Sequence, residues 1–487
     1  MNPDQPTASE PLRPLRLAVV GHTNTGKTSL LRTLARDPDF GQVEDSPGTT
    51  RQVQGARLLV DGQPVMELFD TPGMEDGIGL LEYLDQLSDR SERLDGPDRI
   101  RRFLDTAESQ GRFEQEARVL RKLLDCDAGL YVVDARDPVL AKHKDELAIL
   151  GSCGRPLLPV LNFTHNTQVQ TEQWREALAR LGLHASVEFD TVAPPLDGET
   201  QLYDKLALLL DTYSKRIKSL KHDVARQRQI RRDDALGLIA ELLIDAAALH
   251  LPSKPDSHSL AETTEKLRNL IRQREQRCVT DLLKRYNFRR SDLAAADLPL
   301  EGERWGMDLF HPQALKQMGL HVGKGMAAGA MAGVTVDLFT GGLSLGAAAL
   351  VGATAGGLWQ GAERVGKRLW GRLQGYQELS VDDSVLRLLA LRQLSLVDAL
   401  ERRGHAALGP ITVNTELLTG PADPDEAVTQ PANLPPTRNR IWREGKLPEE
   451  LLEARSQPQW SNLAPGFESD TRRDEVVHAL TRVLRAR

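Results

Sequence analysis

The segment GHTNTGKT, residues 21–28, sets two glycines, a lysine and a threonine at the spacing G-x-x-x-x-G-K-[ST]. Glycines let a backbone wrap tightly enough for several N–H groups to converge on an anion. In such a loop Lys27 can reach the β- and γ-phosphates of a nucleotide, and Thr28 can ligate Mg²⁺. The predicted phosphate-binding residues are therefore Gly21, Asn24, Thr25, Gly26, Lys27, Thr28 and Ser29. Further on, FDTPG puts Asp70 at the end of an apolar run, where a carboxylate can hold Mg²⁺ through water. Gly73 stands where its N–H can sense a γ-phosphate. Between the two motifs, SPGTTRQV, residues 46–53, is where a loop with a second Mg²⁺-ligating threonine belongs.

These residues need a rigid frame. PLRLAVVG reads as a buried strand and TSLLRTLARD as a helix, so the glycine-rich loop has its strand–loop–helix setting, and the helix N-terminus adds favourable partial charge. PVMELFDTPG, AGLYVVDA, RPLLPVLNF and ASVEFDTVAPP are further strand signals, alternating with helical stretches. The prediction is an α/β P-loop domain over residues 14–212, a mostly parallel sheet with helices on both faces, after a flexible N-terminus, 1–13. Residues 75–125 are too many for one switch segment and one helix, so one or two extra surface helices are predicted there.

This order of motifs resembles the Era/TrmE type of bacterial P-loop GTPases, over less than half of the chain. The resemblance implies a GTP-binding, GTP-hydrolysing switch that depends on Mg²⁺. It implies that Thr50, rather than Thr49, ligates Mg²⁺ in response to the γ-phosphate, and that Thr50 and Gly73 let go on hydrolysis. Asn24 stands where potassium-dependent members carry an asparagine that helps coordinate K⁺. Lys27, Thr50 and Gly73 are thus the expected catalytic groups, with Thr28, Thr50 and Asp70 around Mg²⁺. Met74 follows DTPG and has no side-chain N–H to orient a water, so unassisted hydrolysis is expected to be slow. Glu75 and Asp76 read as solvated loop acids or as water-positioning groups.

The base pocket departs from the family. Its Asn-Lys-x-Asp motif is here Asn162-Phe163-Thr164-His165. Asn162 can bond a base edge and Phe163 can stack on the base. A neutral imidazole at His165 accepts one hydrogen bond where the family's aspartate accepts two. Losing the charged acceptor costs about 1.5–3 kcal/mol of guanine preference. Either backbone groups read guanine, with Thr191 and Val192 as candidates, or selectivity is relaxed. GTP is the first expectation, and ATP or mixed use the second.

From Leu202 onward helical periodicity dominates, which predicts a mainly α-helical domain over 213–410 and a Pro-rich segment with short helices over 411–487. Ser259 is the expected N-cap of one long helix. Within residues 319–373, glycines recur every fourth residue (325, 329, 333; 342, 346; 352, 356), which predicts a glycine-rich helical hairpin. Residues 338–362 carry no charge, yet they are largely Ala and Gly, which drive insertion weakly. Two readings follow, a membrane-associated hairpin and a tightly packed one. The resemblance extends to bacterial GTPases that carry the domain called domain of unknown function 3482, in which a similar GGLSLGAA stretch occurs.

The net charge of −7 gives no electrostatic case for nucleic acid as a main partner. Three widely spaced cysteines, Cys126, Cys153 and Cys278, argue for a reducing compartment, and no zinc spacing is present. The polar N-terminus lacks a secretory pattern, so the expected location is cytoplasmic, with a peripheral position at the inner face of the plasma membrane if the hairpin meets lipid. Expected partners are GTP and GDP and an unidentified protein. Three functions follow: a GTPase switch, a nucleotide-binding docking module with negligible turnover, and a membrane-structural protein.

Overall fold

A computed structural model describes residues 13–36, 54–87, 94–164, 169–288, 300–301, 304–305, 308–311, 334–337, 376–403, 442 and 446–486. The chain divides into two compact units, the first reaching Arg228 and the second starting at Gln229.

The first unit is a six-stranded sheet: β1 (Leu15–Val20), β2 (Gln54–Val60), β3 (Gln63–Asp70), β4 (Ala128–Asp134), β5 (Leu157–Asn162) and β6 (Val187–Glu188). Their order is β2-β3-β1-β4-β5-β6, with β2 antiparallel to β3 and the other neighbours parallel. Successive side chains alternate between two apolar layers. Leu15, Leu17 and Val19 of β1 join one core with Leu130, Val132, Leu158 and Val160, and Ala18 and Val20 join the other with Tyr131, Val133 and Leu161. Both faces are covered, as the apolar parallel strands require. One layer comprises α1 (Lys27–Ala35) and α7 (Gly198–Leu209), with Ile217 and Leu220 of α8 (Ser214–Ala248). The other comprises α2 (Gly77–Leu87), α3 (Gly96–Leu104), α4 (Glu114–Asp125), α5 (Ala141–Gly151) and α6 (Thr171–Arg180).

The helices of segment 75–125 are not only surface additions. Ile100, Phe103, Phe113, Ala117, Leu120 and Leu123 are fully buried, and the rings of Phe103, Phe113 and Tyr83 cluster with centroids 5.7–6.2 Å apart. Burying each phenylalanine contributes about 1.5–3 kcal/mol, so α3 and α4 belong to the core of this unit.

In the second unit the later part of α8 packs with α9 (Ser257–Arg285), α10 (Asp383–Glu401), α11 (Glu449–Arg455) and α12 (Thr471–Arg485) around one apolar cluster. A three-stranded antiparallel sheet joins them: β7 (His250–Ser253), β10 (Val334–Asp337) and β11 (Gln377–Val381), with β11 central. A two-residue ladder pairs β8 (Leu300–Glu301) with β9 (Arg304–Trp305). Residues 384–397 of α10 are buried all round, so this helix is the unit's centre.

Two expectations change here. The N-cap of α9 is Asp256, whose carboxylate accepts the Ser259 N–H at 2.9 Å, rather than Ser259 itself. A charged acceptor three residues earlier satisfies the first-turn amide more strongly than a hydroxyl does. The predicted glycine-rich hairpin, 319–373, lies outside the described residues except for Val334–Asp337, which is a strand paired with β11. Val-Thr-Val is stiff at χ1 and favours extended backbone over helix.

Candidate functional site

The carboxyl ends of β1, β3, β4, β5 and β6 lie at one edge of the sheet, where the loop after β1 turns into α1. Gly21 has φ +140°, and a Cβ there would sit 2.5 Å from the Val132 carbonyl oxygen. Gly26 has φ +89°, and a Cβ would meet Asn162 Nδ2 at 2.2 Å. Both positions therefore require glycine. Asn24, between them, is exposed and also left-handed, at φ 62°. No side chain caps α1, which leaves its first amides to an incoming anion. Ser29 is half-buried on its first turn.

Lys27 is buried, with Nζ donating to the carbonyls of Gly21 (3.2 Å) and His22 (2.6 Å), and Thr25 Oγ1 also donates to the latter (3.1 Å). Burial pushes the Lys27 ammonium down to about 8, against the pull of Asp70 and Glu146. Thr28 Oγ1 donates to Asp70 Oδ2 at 2.5 Å, while Asp70 Oδ1 is buried with no hydrogen-bond partner. Burial raises the Asp70 carboxyl, opposed by the Thr28 hydrogen bond and the Lys27 charge. A hydroxyl and a carboxylate side by side, one carboxylate oxygen unsatisfied, suit a small oxygen-seeking divalent cation.

The DTPG segment lies directly on this loop. Met74 is buried, its N–H reaches the Gly21 carbonyl at 3.3 Å, and it forms a β-bridge with His22. A Cβ on Gly73 would be 2.4 Å from Thr23 Oγ1, so only glycine lets the two backbones approach. Thr50 and His165 lie outside the described residues.

At the base end, Asn162 is fully buried and its amide is engaged at both ends. Nδ2 donates to the Thr25 carbonyl at 2.9 Å, and Oδ1 accepts the N–H groups of Phe163 and Thr191, each at 2.9 Å. Asn162 thus ties the phosphate loop to the ends of β5 and β6. Phe163 has φ 58°, and its ring faces the Arg136 guanidinium at 4.1 Å. Arg136 is gripped by Asp134 through Nε (2.9 Å) and Nη2 (2.6 Å). Asp190 Oδ1 accepts the N–H of Val192 (2.8 Å) and Ala193 (3.1 Å). Thr191 is buried, and Val192 is half exposed.

Several neighbours carry no sequence motif. His22 Nδ1 meets Glu146 Oε1 at 2.6 Å and its Nε2 meets Lys142 Nζ at 2.9 Å. An ammonium has only donors, so Nε2 accepts and Nδ1 carries the hydrogen toward Glu146. Glu146 also accepts the Tyr131 hydroxyl at 3.1 Å. Glu116, an acid on the apolar stripe of Phe113, Ala117, Leu120 and Leu123, is a further such neighbour, its Oε1 accepting the N–H groups of Glu75 and Asp76 at 3.0 Å.

A family model described as "Domain of unknown function (DUF3482)" matches residues 175–482, more than half of the chain. The chain belongs to the DUF3482 family. A second model, "50S ribosome-binding GTPase", matches residues 16–163, so this DUF3482 chain joins a P-loop GTPase domain to the family's largely helical region. Among curated relatives, tRNA modification GTPase MnmE of Synechococcus sp. (strain JA-3-3Ab) is 33% identical over 150 residues, covering 31% of this chain and 25% of that protein. MnmE of Synechococcus elongatus is 40% identical over 70 residues, 14% of each. The DUF3482 chain therefore spans a quarter or less of these relatives. A crystal structure of Aquifex aeolicus Era bound to GDP.AlF4⁻ is similar at 18% identity, covering 36% of this chain and 50% of that one, with a TM-score of 0.27. Era in complex with MgGDPNP and a 16S ribosomal RNA segment has the same coverage and TM-score at 16% identity.

Proposed function

We propose that the chain is a Mg²⁺-dependent GTPase switch in which water attacks the γ-phosphate and the segment after β3 changes place on hydrolysis. The observation that carries the reading is buried Lys27 and Asp70 beside half-buried Thr28, with Asp70 Oδ1 unsatisfied. Thr28 and Asp70, with Thr50, would hold Mg²⁺, which supplies positive charge to the β- and γ-phosphates. Lys27 contributes a second charge, and its desolvation strengthens its pull on phosphate. The Gly73 N–H is the donor for the γ-phosphate, and its closeness to Thr23 puts it beside the phosphate loop. The potassium reading rests on Asn24 and the slow rate on the apolar Met74. Release of Thr50 and Gly73 would pass to a protein partner, or to a hairpin at a membrane surface. No helix among the described residues is long and apolar enough to cross a membrane.

A second reading, a nucleotide-binding module with relaxed base selectivity, is favoured by the base end. Asn162 is spent on its own chain, and the Val192 and Ala193 amides are capped by Asp190. A titration of GTP, ATP and their diphosphates against wild type and Lys27→Ala, followed by single-turnover hydrolysis in K⁺ and in Na⁺, tests both. Tight GTP binding with K⁺-stimulated turnover supports the switch. Equal GTP and ATP affinity without turnover supports the module. No purine triphosphate binding with Mg²⁺ overturns both.

A further inference from the structure

Glu116 is an acid in the core. It is 3% exposed, on the face of α4 that buries Ala117 and Leu120. An ionised carboxylate in such a place must be compensated. Here the compensation is backbone: Glu116 Oε1 accepts the N–H of Glu75 and of Asp76, each at 3.0 Å. Two successive peptide groups held by one buried oxygen have little freedom to slide. Four residues before Glu116, Arg112 donates to Asp76 Oδ2 at 2.7 Å, while Asp76 Oδ1 accepts the Gly79 N–H at 2.9 Å and so caps α2. Arg112 is steadied in turn by the Phe113 ring, 4.7 Å away.

The place of this grip matters. Between it and the phosphate loop lie only Gly73 and Met74. Met74 is fixed by the Gly21 carbonyl and by burial, and Gly73 packs on Thr23. No slack remains between α4 and the amide that the proposed function aims at the γ-phosphate.

We infer that Glu116 is a positioning residue for hydrolysis: by holding the Glu75 and Asp76 peptides it sets the place of Gly73 and makes α4 a part of the switch. This rests on the GTPase reading above. A misplacement near 1 Å is worth on the order of a hundredfold in rate, so the grip is a rate-determining distance and not only a core contact.

The test compares wild type, Glu116→Gln and Glu116→Ala in the full chain. The glutamine oxygen still accepts both amides, so Glu116→Gln keeps kcat within about threefold. Glu116→Ala lowers kcat about 10- to 100-fold, leaves GDP affinity within about twofold, and speeds hydrogen exchange in the peptide spanning Glu75 and Asp76. Wild-type kcat in Glu116→Ala overturns the inference, as does a parallel loss of GDP affinity or an equal defect in Glu116→Gln. If Glu116→Ala does not fold, exchange in the wild type decides: protection of those two amides with both GDP and a non-hydrolysable GTP analogue is expected, and free exchange overturns it. A wild type that binds GTP without turnover removes the GTPase reading and the inference together. Wild-type turnover with an unaltered Glu116→Ala removes the inference alone.

Discussion

Two buried aspartates, one in each unit, make a useful pair. Asp245 of α8 is fully buried and fully answered: Arg274 Nε reaches Oδ2 at 2.7 Å, and Arg473 Nη2 (3.0 Å) and the Asn462 N–H (3.3 Å) reach Oδ1. Around it, Ser461 Oγ donates to the Asp245 carbonyl and Arg473 Nε to that of Trp460, so α8, α9 and α12 are pinned together. Asp70 is as deeply buried, yet it has one hydroxyl on one oxygen and nothing on the other. Its neighbour Lys27 is spent on two carbonyls of its own loop. A buried charge with every lone pair satisfied holds a fold together. A buried charge left half-satisfied costs stability and persists where a ligand completes it.

The largest effects should separate the two most sharply. Lys27→Ala and Asp70→Asn are expected to lower kcat/KM for GTP by about a thousandfold, as loss of a charge-stabilising group at a reacting phosphate does. Neither should lower the Tm of the empty protein. For Asp70 the sign is definite: burial raises its carboxyl above 3.8, so the folded state loses stability as pH rises past the unfolded value, and a neutral asparagine removes that loss at pH 7. A Tm that falls in Asp70→Asn would break the comparison.

Asp245→Asn should do the reverse. Two arginines are left in the core with a weakened partner, which costs about 3–5 kcal/mol. Calorimetry should show the transition of the second unit falling steeply, while GTP and GDP affinities stay within about twofold. A stable Asp245→Asn that binds nucleotide poorly would mean that this cluster serves the site.

A third, smaller effect is a pH dependence. With the Lys27 ammonium held near 8 by burial, the empty protein carries that charge at pH 7 and in only about a tenth of molecules at pH 9. Bound triphosphate restores the charge, so affinity should fall about tenfold between pH 7 and pH 9 and be flat below pH 7. Titration by fluorescent GTP analogue at fixed ionic strength checks this, and Lys27→Arg should abolish the slope.

These contrasts also mark what the sequence made legible. The loop 21–28, Asp70 and Gly73 were readable because each chemical demand there fixes a residue type at a fixed spacing: glycine for close backbone approach, lysine for charge, an acid at a strand end. Five of the six strands were readable because they are short apolar runs between loops, whereas β2, QGARLLV, is an antiparallel strand with a glycine and a charge in it and was not read. The Asp134–Arg136–Phe163 stack, the His22–Glu146–Lys142 contacts and the Asp245 cluster join residues far apart in the chain, and no local pattern announces such pairings. The Glu116 grip lies between: an acid on an apolar stripe is visible in sequence, but its partners are backbone amides some forty positions away, which only the fold brings near. Val334–Asp337 was misread because glycine spacing on either side outweighed three β-branched residues in a row.

The smallest effect concerns His143, a buried group of the first unit with one neutral partner. Its Nδ1 accepts the Leu140 N–H at 3.2 Å, and its ring lies 4.9 Å from that of Trp174. Burial pushes the imidazole down to about 4, with Glu146 pulling the other way and Lys142 and His22 adding to the fall. An unfolded chain takes up a proton near 6.5 that the folded one refuses until about 4, so the contribution of His143 is complete above pH 6.5 and is lost as pH drops toward 4. After allowance for solvent screening this is about 1 kcal/mol, or 2–4 °C in the transition of the first unit, recognisable as the one that GDP raises. His143→Phe keeps the stacking and should flatten that stretch of the pH profile while leaving the second unit's transition unmoved. In the second unit the buried Glu275 carboxyl is shifted upward, so acidification relieves it rather than loading it. Asp70 in the first unit is shifted upward too, so the His143 contribution is read from the difference between wild type and His143→Phe, which should change between pH 6.5 and pH 4.5, and a constant difference would show that His143 makes no such contribution.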